Sequence, residues 1–104
     1  MYVRLTQIFF IPERRNDIRK VYYDEIVPIV RNQKGNMGAW LLESHDNAGE
    51  CISLTEWTSQ KEAEEYEASG VYVTLVNMLK PMYTSKPVLK SYHVEGSEVP
   101  AAII

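Results

Sequence analysis

Several things are scarce in this sequence, and each shortage excludes something. There is one cysteine, Cys51, so no internal disulfide can form, and the reducing cytoplasm is the expected compartment. The longest uninterrupted apolar runs are a few residues, far short of the ~20 that carry a helix across a bilayer. No membrane partner is expected. The opening "MYVRLTQIFFI" lacks a basic start, a long apolar stretch and a small-residue cleavage site, so no signal peptide is expected. Lys and Arg are outnumbered by Asp and Glu, 11 to 14, and form no stripe, so a nucleic-acid partner is not expected. A Gly-rich phosphate loop, CxxC and GxSxG are all missing. Neither histidine has a second at ligand spacing, so no metal site is predicted. At 104 residues the chain has room for one core.

What is present is a run of alternating elements. Residues 2–11, rich in β-branched and aromatic side chains and stopped by Pro12, predict a first strand. Its apolar residues occupy both parities: Val3, Leu5, Phe9 and Ile11 against Tyr2, Ile8 and Phe10. Both faces are therefore expected to be covered. Ile18, Val21, Tyr22, Ile26, Ile29 and Val30 fall at helical spacings over residues 16–32. Pro28 cannot donate to the Asp24 carbonyl, so a kink is expected there. "NMGAWLLES" and "ECISLTEWT" predict two strands joined by the turn "HDNAG". Ser59 with Glu62 forms a capping box that starts a helix. Ser69-Gly70 interrupts it, and Val71, Tyr72, Leu75, Val76 and Leu79 make a second helical piece. "PVLKSYHVE" predicts the last strand. Residues 96–104 are a tail whose closing "AAII" either frays or packs on a partner.

This β-α-β-β-α-β order predicts an α+β, ferredoxin-like domain over residues 1–95: a four-stranded antiparallel sheet with both helices on one face. Helices on one face leave the apolar residues of the other uncovered. The simplest cover is a second copy, sheet against sheet, which predicts a homodimer.

The run Trp57, Ser59, Glu62-Ala63, Tyr66, Ser69, Tyr72 resembles the antibiotic biosynthesis monooxygenase domain family, within the dimeric α/β-barrel superfamily. "IVPIVRNQKGNMGAWLLES" is similar to that family's first helix and second strand. The superfamily includes cofactor-free oxygenases of aromatic polyketides, quinol oxidases, haem-degrading enzymes and proteins without assigned activity. The resemblance thus implies a cofactor-independent monooxygenase or quinol oxidase for a small aromatic molecule, with no cofactor. The alternative is a non-catalytic dimeric small-molecule-binding or accessory protein of the same fold. The haem-degrading branch uses an asparagine on strand one, then a tryptophan and a histidine on the second helical unit. Those positions fall here at Gln7 or a neighbour, Tyr66 and Val76, leaving an iron without its usual histidine.

A cofactor-free oxygenase draws its electrons from an electron-rich phenolate or enolate. The protein must help remove a proton, hold the anion and exclude water. Tyr66, Tyr72 and His93 are the candidate catalytic residues; Gln7, Tyr22 and Trp57 are the candidate substrate-binding residues. On an unbroken helix Tyr66 and Tyr72 would point about 240° apart, at about 100° per residue. The Ser69-Gly70 break could turn both into one cavity. His93 is the only histidine within a predicted strand, and His45, beside Asp46, belongs to the opposite sheet edge. Packing alone would also account for Tyr22 on its apolar stripe and Trp57 at the helix junction. Cys51 has nothing nearby to activate it and is expected to pack. Arg14, Arg15, Arg19 and Lys20 make a short basic patch, either plain surface or a guide for an anionic substrate.

Overall fold

The structure, a computed structural model, describes residues 1–95; the tail, including "AAII", lies outside the described residues. Strands β1 (Tyr2–Phe9), β2 (Asn36–Glu43), β3 (Glu50–Trp57) and β4 (Val88–His93) form one sheet in the order β2-β3-β1-β4. All pairings are antiparallel. Helices α1 (Arg15–Val21), α2 (Val27–Arg31), α3 (Gln60–Ala68) and α4 (Val71–Met78) cover one face. The α+β class and the ferredoxin-like order agree with the sequence pattern. The first strand ends two residues earlier than expected. Phe10 instead bridges to Tyr83, and the Ile11 amide donates to the Met82 carbonyl (3.0 Å) as Pro12 turns the chain.

Burial along β1 alternates without exception: Tyr2, Arg4, Thr6 and Ile8 lie under the helices, and Val3, Leu5, Gln7 and Phe9 face the other way. Cross-strand register carries this parity through the sheet. Ser53, Thr55 and Trp57 share the helix side with Thr6, Arg4 and Tyr2. Ile52, Leu54, Trp40, Leu42, Val88 and Tyr92 share the open side. Four of these, Trp40, Leu42, Val88 and Tyr92, are exposed, so the helix-free face is a broad apolar surface.

Between α1 and α2 the chain makes a π-helical turn, Tyr22–Ile26, in which the Val27 amide donates to the Tyr22 carbonyl five residues back. The buried residues of this unit are Ile18, Tyr22, Ile26 and Val30, a strict four-residue repeat. On a regular helix three such steps would rotate the stripe by about 120°. The wider turn takes up that drift and keeps all four against the sheet. The irregularity thus falls just before Pro28, which stands in the first turn of α2, where a missing amide costs least.

The capping box is half formed. Ser59 Oγ accepts from the Glu62 amide at 3.3 Å. The Glu62 carboxylate accepts from the Thr58 and Ser59 hydroxyls rather than from the Ser59 amide, and these bonds, Thr58's first, hold its pKa below the ordinary value.

Candidate active site

The break between α3 and α4 builds the site. The Ser69 amide donates to the Glu65 carbonyl (2.9 Å) and the Gly70 amide to the Glu67 carbonyl (3.2 Å). Gly70 then takes φ +86°, a left-handed conformation that glycine adopts without cost. Ser69 Oγ fastens the corner, donating to the Tyr66 carbonyl at 2.6 Å and accepting from the Val71 amide at 3.3 Å. After this turn Tyr66 and Tyr72 meet edge to face, ring centroids 6.0 Å apart.

Both rings line a cavity between sheet and helices, as the break suggested. Its floor is Arg4, Thr6, Ser53 and Thr55; its walls include Tyr22, Ile26, Leu75 and Tyr83. It encloses about 30 Å³, room for about two water molecules at ~10–15 Å³ each. Outside it lies a groove of about 690 Å³ lined by Glu67, Lys80, Lys86 and Leu89 among others. Tyr72, Val76 and Tyr83 line both spaces and so form the partition between them. An aromatic ring enters only if that partition moves.

The tyrosine hydroxyls differ in what they are free to do. Tyr22 donates to the Trp40 carbonyl (3.1 Å), so its contact with Ser53 (2.8 Å) is one in which Ser53 donates. Tyr72 shares a hydrogen bond with Thr6 (3.1 Å), and Tyr83 donates to the Val76 carbonyl. The Tyr66 hydroxyl makes no such bond among the described residues and is free to donate to a ligand. Burial raises the pKa of all four. Tyr22 is pushed up to about 12, the Ser53 hydrogen bond opposing. For Tyr66, Arg4 opposes the rise; for Tyr72, Thr6 and then Arg4 do. These hydroxyls are neutral donors near pH 7 rather than bases.

Among the described residues Arg4 is the one charged residue of the cavity lining. Its side chain is only 3% exposed. One terminal nitrogen contacts Glu67 (2.9 Å) and the other the Ala63 carbonyl (3.3 Å), while the guanidinium lies 5.3 Å from the Tyr72 ring centre. Its Nε is buried with no hydrogen-bond partner among the described residues. Sequence reasoning missed Arg4, Thr6 and Tyr83. For the first two the signal was available: polar residues on the buried parity of "YVRLTQIF".

Three expected site residues sit elsewhere. Gln7 lies on the opposite sheet face, where parity puts it, and donates to Glu50 (3.3 Å) among apolar neighbours. It cannot be a polar tip of this cavity. Trp57 is fully buried behind the cavity wall, stacked on Tyr66 at 4.8 Å, its Nε1 donating to Thr55 (2.9 Å). It positions Tyr66 rather than touching the cavity. His93 pairs with Tyr2 at the end of the sheet, exposed and edge-on to that ring at 5.3 Å, away from the lining. The basic patch is largely neutralised: Arg14, Arg19 and Lys20 pair with Asp17, Glu43 and Asp24. Cys51 is free and buried, and desolvation pushes its thiol up to about 12. Among the described residues no group of three or more His, Cys, Asp or Glu is placed to hold a metal ion. No helix of the described residues is long and apolar enough to cross a membrane.

The fold and site define a ferredoxin-like α+β domain with a tyrosine-lined cavity under its helices. The chain belongs to the antibiotic biosynthesis monooxygenase family, whose model matches residues 1–77, from β1 to within α4. Solved structures share the fold at low identity. A Streptomyces coelicolor monooxygenase from the gene ActVA-Orf6, in complex with the ligand nanaomycin D, superposes with a TM-score of 0.80 at 15% identity, covering 96% of this chain and 92% of its own. Rv0793 from Mycobacterium tuberculosis gives 0.74 at 18%, covering 93% and 97%. A conserved protein from Methanosarcina mazei gives 0.74 at 12%, covering 91% and 94%. No curated protein matches.

Proposed function

We propose that this protein is a cofactor-independent monooxygenase or quinol oxidase that oxidises a small aromatic substrate in the cavity between sheet and helices, as a homodimer through its open sheet face. The observation that carries this reading is the convergence of Tyr66, Tyr72 and Arg4 on one cavity between sheet and helices. An electron-rich aromatic held there supplies the electrons itself. A quinol passes two electrons and two protons to O₂, giving a quinone and hydrogen peroxide. An activated ring methylene takes one oxygen atom as a carbonyl, the other leaving as water. Either course develops negative charge on the substrate oxygen, and the free Tyr66 hydroxyl and the Arg4 guanidinium are the groups to stabilise it. That the Streptomyces coelicolor relative is in complex with the ligand nanaomycin D supports a small-molecule occupant.

A second reading, a dimeric binding or accessory protein without turnover, draws on one feature of the lining. Among the described residues it holds no carboxylate or imidazole, so none of them supplies a base of ordinary pKa at the reacting position. Oxygen uptake separates the two. With no added flavin, metal or haem, and with spontaneous oxidation subtracted, the parent is expected to accelerate uptake on a panel of quinols and dihydroxyaromatics. Tyr66→Phe is expected to lower the rate about 10²-fold or more, in the range set by losing one oxyanion donor, while the fold persists. Tyr72→Phe, whose hydroxyl is already engaged by Thr6, is expected to lose less. Rates at background across the panel favour the binding protein.

A further inference from the structure

Arg4 is out of balance with its surroundings. Burying a guanidinium is costly unless its donors are met, yet Nε has no partner among the described residues and the one carboxylate at hand, Glu67, is 47% exposed. We propose that the cavity takes an aromatic anion, a carboxylate or phenolate seated on the Arg4 guanidinium, and that Glu67 is a resting counter-ion which the ligand displaces on entering from the outer groove. This rests on the reading of the cavity as the substrate site, and adds the charge of what binds there.

Three observations support it besides the unmet Nε. Glu67 can swing into water at little cost, whereas Arg4, 3% exposed, cannot follow it; exchange of carboxylates at a fixed cation is the favoured motion. The groove outside is lined by Glu67, Lys80 and Lys86, and the two lysines raise the local concentration of anions at the partition. Finally, the described residues of the lining offer no carboxylate or imidazole as a base. A substrate that arrives already ionised needs none, and Tyr66 can donate its hydroxyl proton to the anion in a hydrogen bond without giving it up.

Salicylate and salicylamide are matched probes, one an anion and the other mainly neutral at neutral pH, and their binding to the full chain is measured by calorimetric titration. Salicylate is expected to bind at least about tenfold tighter. Glu67→Gln, which removes the competing carboxylate, is expected to tighten salicylate and leave salicylamide unchanged. Arg4→Met is expected to erase the preference; should that variant not fold, Glu67→Gln decides. Equal binding of the two probes, no binding of either, or a preference untouched by Glu67→Gln each overturn the proposal. Oxygen uptake on neutral quinols, run beside the titrations, keeps the readings apart. Uptake without an anion preference leaves the oxidase standing and this inference fallen; an anion preference without uptake does the reverse.

Discussion

At the scale of single residues the site is governed by what burial does to a phenol. An unfolded tyrosine ionises near 10, whereas Tyr22 is pushed up to about 12, chiefly by desolvation, and Tyr66, Tyr72 and Tyr83 are raised for the same first reason. The sign of the consequence is fixed. Above pH ~10 the unfolded chain releases phenolic protons that the folded chain retains, so stability is fully present below that pH and falls as pH climbs toward the folded values. For Tyr22 alone, the gap from about 10 to about 12 amounts to something of order 3 kcal/mol. A titration of phenolate absorbance is expected to show Tyr22, Tyr66, Tyr72 and Tyr83 ionising late, and to lose that late component in denaturant. Tyr22→Phe is expected to remove one late group and flatten the alkaline loss of stability. Simultaneous ionisation near pH 10 in native protein would mean that the cavity is wet and the tyrosines are not held as neutral donors.

Between residue and molecule, the helix break decides whether those tyrosines meet. A Cβ at Gly70 would touch nothing within 4 Å, so the demand for glycine there is conformational, set by φ +86°. Gly70→Ala is expected to cost ~1–2 kcal/mol for the left-handed backbone, and Gly70→Asn less, because asparagine tolerates that region. Thermal unfolding of the pair tests this; an alanine variant as stable as the parent would refute the left-handed corner. Elements of this kind were legible in the sequence wherever a local rule acted alone. β-Branched and aromatic runs bounded by turn residues marked the strands, Ser59 marked the start of α3, and Ser69-Gly70 marked the corner that brings Tyr66 and Tyr72 together. What was not legible depended on two rules at once. Arg4 and Thr6 look like exposed strand residues until parity is combined with the position of the helices, and the same step sends Gln7 to the open face. The π turn follows from a four-residue repeat that a regular helix cannot keep on one side. Tyr83 reaches the cavity only because the chain after α4 bridges back to Phe10, a tertiary contact no spacing announces.

For the molecule as a whole, the open face of the sheet is what remains to be satisfied. Trp40, Leu42, Val88 and Tyr92 are exposed there beside the half-buried Val3, Leu5, Phe9, Ile52 and Leu54. A Cβ at Gly38 would come within 2.3 Å of the Trp40 indole, so that ring reaches back over Gly38 and adds to the apolar surface there. A patch of this composition on so small a domain is cover for something, and a twofold copy of itself is self-complementary by construction. The protein is therefore expected to sediment at about twice its chain mass of 12.0 kDa, with a melting temperature that rises with concentration, since association stabilises only the folded chain. Leu42→Lys puts one ammonium per chain into that apolar face, opposite Ile52 on the neighbouring strand. With burial of an unpaired polar group costing roughly 2–3 kcal/mol and two such groups in each dimer, the dimer should weaken by about 1000-fold or more. Leu42 is remote from the cavity lining, so a monomeric Leu42→Lys protein that keeps its salicylate binding would separate assembly from the site. A parent that sediments as a 12.0 kDa monomer at micromolar concentration would leave the apolar parity of β1 without its cover, and the sheet-to-sheet assembly would have to be abandoned.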